Sequence, residues 1–387
     1  MPIQIQSPCF VPRALHNDHS YVAYHHYEML NFAANFFHIQ TPQIKPLLST
    51  ISSQTKYLAI DPRTPVFQFG GHSGKPSYSM LGYAIPSTSS LAPPQFSNQF
   101  TAKYTSDVIA EQRQHGTKVI IPPYFFFNNS NDPWFKINID CTGEADKQRA
   151  SEENLLMFVL FDCTLLLNPQ SCTAVSKQLA SCSVDGYYLM AADLDPLTIN
   201  SSFVKGYQDL VSHLASTKRP VIVSQAGKLG LALIASGASG YAMGFGKLDS
   251  LALSTFRQGG SGAGQANRYY FHNLLLPVYT RNADDVASAQ STSPEYPCNC
   301  THCNGQLPAQ IQSKNRTFHY IDFRLAELSS LQGLNTQQRQ TLLRNMFDRA
   351  FNLSLATHQE LSQRQPFSGN ALPSSEFAHL DVIAQCL

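Results

Sequence analysis

The feature that most constrains the fold is a repeated alternation of short apolar strands with longer helical stretches. The runs KYLAI (56–60), LLMFVLF (155–161), GYYLM (186–190) and PVIVS (220–224) are separated by segments of helical character. Further strands are predicted at 66–69, 118–127 and 241–245. Each run is continuously apolar, which is typical of parallel strands covered on both faces. Strand–helix units in series predict an α/β protein, either a doubly wound open sheet or a (β/α)8 TIM-like barrel.

The segment RPVIVSQAGKLGLALIASGASGYAMGFG (219–246) favours the barrel. A strand, a helix and a Gly-Ala-x-Gly turn before a short strand are common in the late units of such barrels. We predict an N-terminal segment (1–54) that packs on the barrel, the barrel itself (55–282), and a C-terminal helical module and tail (283–387). Apolar periodicity in the last region predicts one long helix from Thr336, followed by a loosely packed tail.

Composition narrows the classes of function. Lys and Arg number 27 against 26 Asp and Glu, a net charge of +1, so the whole chain has no bulk attraction to nucleic acid or anionic membrane. Any contact with nucleic acid therefore needs a local basic patch. The longest apolar run is too short for a membrane span, and no secretory signal is visible. These observations, with nine cysteines of which six are scattered, predict a reduced cytoplasmic protein without membrane partners.

Three of the nine cysteines are clustered in the segment CNCTHC. Cys298, Cys300 and Cys303 lie close enough in sequence to converge on one ion, and three thiolates suit tetrahedral Zn²⁺. A closed structural site requires a fourth ligand, for which His319 and His358 are both candidates. The alternative is three unpaired surface cysteines, or one disulfide and a spare thiol.

The cluster and its surroundings resemble the tRNA-guanine transglycosylases, which exchange guanine for a 7-deazaguanine base in queuosine-type modification. In that family a (β/α)8 barrel carries a C-terminal Cys-x-Cys-x-x-Cys zinc module completed by a histidine on a later helix. SPEYPCNCTHC is similar to the entry into that module, and LSLATHQELSQ is similar to the helix that presents the histidine. The resemblance, which covers roughly residues 55–360, implies a structural zinc ion held by Cys298, Cys300, Cys303 and His358.

Base exchange needs a nucleophile that displaces the base from ribose and a second group that handles the proton. Segment 240–246, where the family has its nucleophilic aspartate, contains no carboxylate. The catalytic candidates are therefore carboxylates at the ends of other predicted strands, namely Asp61, Asp162 and Asp193. In a barrel they would face the C-terminal mouth, where active sites lie. The alternatives are turn initiation, helix capping or solvated charge.

Residues at the same strand ends are candidates for substrate binding. They are Phe127, Asn128, Gln225, Gly244 and Gly246. An aromatic ring can stack on a base, although aromatics in apolar strands more often belong to the core. The amides offer hydrogen bonds, and the glycines leave open space or backbone N–H groups that can receive a phosphate.

Basic side chains beyond residue 250 could contact tRNA or DNA, with a solvated helix surface as the alternative. They are Arg257, Arg268, Lys314, Arg316, Arg339, Arg344 and Arg349.

Three hypotheses follow. The first is a transglycosylase-like protein that exchanges or recognises a guanine-type base in tRNA or DNA. The second is a catalytically inactive, zinc-stabilised barrel that binds nucleic acid or serves as an accessory subunit, in a homodimer or with a related subunit. The third is an unrelated barrel enzyme that acts on a phosphorylated small molecule.

Overall fold

A computed structural model describes residues 3–39, 44–71, 74–86, 89–245, 250–257, 267–292, 296–364 and 371–387. Its centre is a closed barrel of eight parallel strands in which each strand pairs with the next in sequence, and the eighth pairs with the first. The strands are β1 (Cys9–Ala14), β2 (Tyr27–Ala33), β3 (Thr55–Asp61), β4 (Val119–Ile120), β5 (Asn154–Asp162), β6 (Gly186–Ala192), β7 (Val221–Ser224) and β8 (Gly240–Met243). The predicted fold class is confirmed.

Helices connect successive strands. They are α1 (His19–Val22), α2 (Ile44–Gln54), α3 (Pro65–Phe69), α4 (Pro76–Ser79), α5 (Asn98–Gln114), α6 (Pro133–Gln148), α7 (Pro169–Ser181), α8 (Ser201–Ala215) and α9 (Gly227–Ala232). Side-chain caps mark where several helices begin. At the start of α6, Asp132 accepts a hydrogen bond from the Trp134 N–H, and Pro133 occupies the first helical position. Asn200 caps the start of α8 in the same way.

Strand β5 shows why the apolar runs are continuous. Leu155, Met157, Val159 and Phe161 belong to the core between the strands and the surrounding helices. The alternate residues Leu156, Phe158 and Leu160 belong to a second core with side chains of neighbouring strands. Successive side chains of a strand point to opposite faces, so a strand buried on both faces must be apolar at every position.

The predicted N-terminal boundary is wrong, because residues 1–54 contribute the first two strands of the barrel rather than a segment packed on it. These strands read CFVPRA and YEMLNFA, so each interrupts its apolar run with polar residues. Arg13 pairs with Asn31 in the β1–β2 register, and both side chains line a cavity at the barrel mouth. Polar residues placed there for the cavity hide the strand pattern.

Closure of the barrel depends on Gly240 at the start of β8. A Cβ atom at this position would lie 2.6 Å from the Cys9 carbonyl oxygen, so β1 and β8 can approach only with glycine here.

The barrel ends with β8 instead of extending to residue 282. Beyond it lie α10 (Ser254–Arg257), a hairpin of β9 (Arg268–Phe271) and β10 (Leu276–Tyr279), and the helices α11 (Thr280–Ser288), α12 (Ser313–Ser329), α13 (Thr336–Arg364) and α14 (Ala378–Cys386). The long helix predicted from Thr336 is confirmed. The prediction of a loosely packed tail is wrong, because α14 buries Leu380, Ile383 and Ala384.

Two strand predictions also need correction. Residues Pro65–Phe69 form α3, since the proline stands at its first helical position. In the run KVIIPPYFFF only Val119–Ile120 forms ladder strand, because two prolines lack the N–H groups that a ladder needs. Phe127 returns to the sheet through an isolated bridge to Phe161.

In the described part of the chain, no helix combines the length and apolar character that crossing a membrane would demand.

Candidate functional site

The three clustered cysteines converge with His319, and their ligand atoms all lie within 4.8 Å of one another. We call these four residues the cysteine–histidine cluster. The distances from His319 Nδ1 to the sulfurs of Cys298, Cys300 and Cys303 are 3.9, 3.4 and 3.2 Å. A tetrahedral zinc ion with Zn–S near 2.3 Å and Zn–N near 2.05 Å places such atoms about 3.6 Å apart. The cluster could therefore hold a zinc ion with little rearrangement.

A tight turn brings the cysteines together. The amides of Cys303 and Asn304 donate to the Cys300 carbonyl oxygen, and the Gly305 amide donates to that of Cys298. Gly305 has a φ of +70°, which favours glycine. The turn thereby points all three sulfurs to one side.

The hairpin and α12 orient the histidine. His319 Nε2 lies 2.8 Å from the Tyr270 carbonyl oxygen, so an N–H donated there leaves Nδ1 free to face the sulfurs. The Tyr269 hydroxyl lies 3.4 Å from the Cys303 sulfur, and its ring stacks on that of His319. Such supporting contacts are characteristic of metal sites, where they fix the orientation of each ligand.

The electrostatics of the cluster favour thiolates. The hydrogen bond with Cys303 lowers the pKa of Cys298 to about 3 and raises the pKa of Cys303. Burial acts to lower the pKa of His319, but the thiolates of Cys298 and Cys300 outweigh it and raise that pKa to about 9. A metal binds thiolates and a neutral imidazole, so binding releases the protons held on these groups and the affinity falls in acid.

His358, which the resemblance implies as the fourth ligand, is not part of the cluster. It lies on α13, where its Nδ1 is 2.9 Å from the Leu372 carbonyl oxygen and its ring packs near Phe377. The structure gives the fourth position to His319, because α12 follows the cysteine turn directly and packs against β9. His302 points away from the cluster, with Nε2 2.7 Å from the Tyr24 hydroxyl. All nine cysteines are free, so a disulfide framework is absent.

A buried network of charged side chains also connects helix α12 to the barrel. The Lys228 Nζ atom after β7 lies 3.3 Å from the Glu327 carboxylate, and Arg324 Nη1 donates to the same carboxylate at 2.8 Å. Tyr270 adds a hydrogen bond to Glu327. Burial, together with the charge of Arg324, holds the pKa of Lys228 well below its ordinary value. The cluster and the network thus act on the same helix and hold the C-terminal region on the barrel.

A second candidate site lies at the mouth of the barrel, where the strands end. A cavity of about 260 Å³ opens there, between residues that follow β1, β2, β3, β7 and β8. Its polar lining includes Arg13, Asp18, Asn31, Asn35, Asp61, Arg63 and Gln225. We call this space the mouth cavity. Its position at the C-terminal ends of the strands is that of the active sites of barrel enzymes.

Asp61 is the predicted carboxylate that reaches the mouth cavity. It is 3% exposed, and its Oδ1 accepts hydrogen bonds from the Tyr124 hydroxyl at 2.6 Å and the Arg63 amide at 2.8 Å. Burial and the neighbouring Asp61 hold the pKa of Tyr124 well above its ordinary value, so the phenol stays a hydrogen-bond donor. These contacts fix the carboxylate in one orientation at the end of β3.

Two buried amides of the cavity lining have unsatisfied hydrogen-bonding atoms. Asn31 and Asn35 are each 4% exposed, and within the described part of the chain neither Asn31 Nδ2 nor Asn35 Oδ1 has a hydrogen-bond partner. A buried polar atom without a partner costs about 1–3 kcal/mol. Both side chains line the cavity, whereas the two unpaired atoms themselves are shielded from solvent.

The predicted site residues separate into two groups. Gln225 and Gly244 line the mouth cavity together with Asp61, and a Cβ atom on Gly244 would meet no atom within 4 Å. Gly246 lies outside the described residues. Ser250 and Leu251 also line the cavity.

The other predicted catalytic residues are engaged elsewhere. Asp162 caps the 3-10 helix Cys163–Leu167 by accepting a hydrogen bond from the Thr164 amide. Asp193 is exposed and accepts a hydrogen bond from the Leu253 amide at 2.8 Å, which positions the backbone after β8. Both therefore lie outside the cavity lining, and the capping alternative applies to Asp162; a catalytic role for either carboxylate stays a prediction.

Two predicted binding residues are likewise elsewhere. Phe127 is fully buried among core rings, 4.7 Å from the Phe135 ring, so it cannot stack on a ligand. Asn128 is exposed and donates to the Asp132 carboxylate at the start of α6. The core alternative is correct for the aromatic residue.

Sequence reasoning missed four residues of the polar lining because they lie in the N-terminal region. Arg13, Asp18, Asn31 and Asn35 come from β1, β2 and the turns that follow them. The available signal was a charged or amide residue interrupting a short apolar run.

Two of the basic side chains that were predicted to contact nucleic acid make contacts within the protein instead. Arg268 stacks on Tyr279 and donates to the Pro277 carbonyl oxygen at 2.9 Å. Arg316 is 8% exposed and donates to the Ile311 carbonyl oxygen. Arg344 and Arg349 are exposed on α13, so nucleic-acid contact there stays a prediction.

No protein-family model and no curated protein sequence matches this chain. The fold and the site define the class: a parallel (β/α)8 barrel with a Cys3His cluster that could bind zinc.

Proposed function

We propose that the protein binds a guanine-type base of tRNA or DNA in the mouth cavity. The observation that carries the proposal is a small polar cavity lined by Asn31, Asn35 and Asp61 at the ends of the strands. A guanine edge presents acceptors and donors side by side, so it can pair with a lining of amides and a carboxylate. A cavity that hydrogen-bonds its ligand rejects analogues lacking those groups.

The size and charge of the cavity support a base over a larger ligand. Its volume of about 260 Å³ lies below the range of about 300–1,000 Å³ typical of drug-sized sites. Arg13 and Arg63 stand beside Asp18 and Asp61 in the lining, so the cavity carries both signs of charge. A neutral heterocycle with several hydrogen-bonding groups suits such a lining better than a free phosphate does.

The resemblance to tRNA-guanine transglycosylases supports the same substrate class. In this proposal the zinc ion is structural. When bound by Cys298, Cys300, Cys303 and His319, it neutralises the thiolates and closes the turn onto α12. The mouth cavity is lined by residues other than these four ligands.

Isothermal titration calorimetry with guanine and 7-deazaguanine tests the proposal, with adenine as the comparison base. We expect Asn31→Leu to weaken guanine binding by about tenfold or more, because a ligand group loses its buried partner. Asn128→Leu is the matched control, since that amide is exposed and outside the cavity. Thermal unfolding verifies that each variant is folded. Absence of guanine binding, or equal losses in both variants, would refute the proposal.

Base exchange is a second candidate, favoured by the position of Asp61 in the mouth cavity beside Asp18. One of these carboxylates would attack the ribose carbon, and the departing base would take up a proton from the other. Incorporation of radiolabelled guanine into tRNA or DNA measures this reaction. We expect Asp61→Asn to abolish incorporation and Asp162→Asn to retain it. No incorporation by the wild type, with base binding intact, would support the accessory, non-catalytic alternative.

A further inference from the structure

A second group of potential metal ligands lies apart from the cysteine–histidine cluster. His38, Glu111 and His115, which we call the His–Glu–His cluster, have ligand atoms within 4.8 Å of one another. The Glu111 Oε1 atom lies 2.8 Å from His38 Nε2 and 3.3 Å from His115 Nε2. His38 ends the 3-10 helix after β2, and the other two come from the end of α5.

The surrounding structure orients each of the three side chains. Glu111 and His115 are four residues apart and so share one face of the helix. The His115 ring stacks on Phe37 with centroids 3.6 Å apart and planes within 13°. The Gly82 amide donates to Glu111 Oε2 at 2.9 Å, which directs Oε1 toward the imidazoles. Contacts of this kind are what preorganises metal ligands.

We propose that the His–Glu–His cluster binds a divalent transition-metal ion of the Zn²⁺ or Fe²⁺ class through His38 Nε2, Glu111 Oε1 and His115 Nε2. Two imidazoles and one carboxylate form a donor set that these ions share in proteins. Ligand atoms about 2.1 Å from an ion lie roughly 3.0–3.4 Å apart in octahedral or tetrahedral geometry. The two observed carboxylate–imidazole separations, 2.8 and 3.3 Å, lie within about 0.6 Å of that range, and all the ligand atoms lie within 4.8 Å of one another.

The site is accessible and ionised. Both imidazoles are 18% exposed while Glu111 is 3% exposed, so an ion can enter between the rings and contact a buried carboxylate. Burial acts to raise the pKa of Glu111, but hydrogen bonds from His115, the Gly82 amide and His38 lower it to about 2. Three protein ligands leave at least one coordination position for water or a small ligand.

The donor set separates this site from the cysteine–histidine cluster. Thiolates prefer softer ions and hold zinc most tightly, whereas the His–Glu–His cluster contains no sulfur. Zinc in the first site can therefore stay in place while a different ion fills the second.

Cobalt titration of the full-length, zinc-loaded protein tests the proposal. We expect one further Co²⁺ per chain, with visible d–d absorption and no thiolate-to-cobalt charge-transfer band. His38→Gln and His115→Gln should each weaken its binding at least tenfold, whereas the exposed His26→Gln should leave it unchanged. Thermal unfolding and the retained zinc content establish that the variants are folded, and two separate histidine variants prevent the result from depending on one of them.

Three outcomes would overturn the proposal: no Co²⁺ beyond the zinc already present, uptake only at millimolar concentration, or uptake that is equal in the wild type and both histidine variants. A charge-transfer band would also overturn it, because the ion would then have entered the cysteine–histidine cluster.

Discussion

Replacing His319 with alanine should remove one of four ligands from the cysteine–histidine cluster. Structural zinc in finger peptides binds with about 10–16 kcal/mol, so an average ligand contributes roughly 3–4 kcal/mol. Zinc affinity in His319→Ala should therefore fall by about 10²–10³-fold. The protein should also unfold at a lower temperature, because an ion that binds only the folded chain stabilises it. Competition with a chromophoric chelator measures the affinity, and calorimetry measures the unfolding temperature.

The matched control for this experiment is His358→Ala. That histidine contacts the Leu372 carbonyl oxygen and the Phe377 ring, away from the sulfurs, so its loss should leave zinc affinity unchanged. If His358→Ala released the zinc while His319→Ala kept it, the reasoning from the observed ligand geometry would be refuted.

Four further predictions concern stability, each measured by denaturant unfolding. Glu327→Ala should destabilise the protein by about 3–5 kcal/mol, because the buried Arg324 guanidinium and the Lys228 amine lose the carboxylate that they share; a loss below 1 kcal/mol would contradict this. Burial lowers the pKa of His379 to about 4. The unfolded chain therefore takes up this proton first, and stability should fall between about pH 6.5 and 4 by up to roughly 3 kcal/mol, an effect that His379→Phe removes. Gly206→Ala should destabilise by about 1–3 kcal/mol, since its Cβ would lie 2.0 Å from the Leu166 carbonyl oxygen. Gly143→Ala, with open space around it, should stabilise by about 0.5–1 kcal/mol.

The sequence predicts the later barrel units well because their strands are buried on both faces. In β5 every residue from Leu155 to Phe161 is apolar, and the pattern leaves few alternatives. The first two strands were not predicted, because they are not apolar throughout. Arg13 and Asn31 interrupt their apolar runs and line the mouth cavity. Polar residues that line the cavity replace the apolar pattern that marks a strand.

The cysteine–histidine cluster was likewise predicted only in part. The spacing of Cys298, Cys300 and Cys303 predicts convergence, because so short a segment can fold around one ion. The fourth ligand could not be assigned in the same way, since it depends on how α12 and α13 pack. His319 takes that place only because the β9 carbonyl of Tyr270 orients its ring toward the sulfurs.

The three candidate carboxylates show most clearly what the sequence alone does not predict. Asp61, Asp162 and Asp193 all end or follow a strand, so the sequence treats them alike. Their separation into one cavity residue and two residues outside the cavity lining comes from local turns: Asp162 accepts from the Thr164 amide and Asp193 from the Leu253 amide. Such turns depend on loop geometry, which residue types alone do not specify.

A crystal structure of the protein grown with saturating guanine or 7-deazaguanine tests the central claim most directly. The account predicts density for the base in the space bounded by β1, β2, β3, β7 and β8, with polar atoms about 2.7–3.2 Å from the side-chain amides of Asn31 and Asn35. Density for the base at another place on the protein, or only water between these two amides, would contradict it.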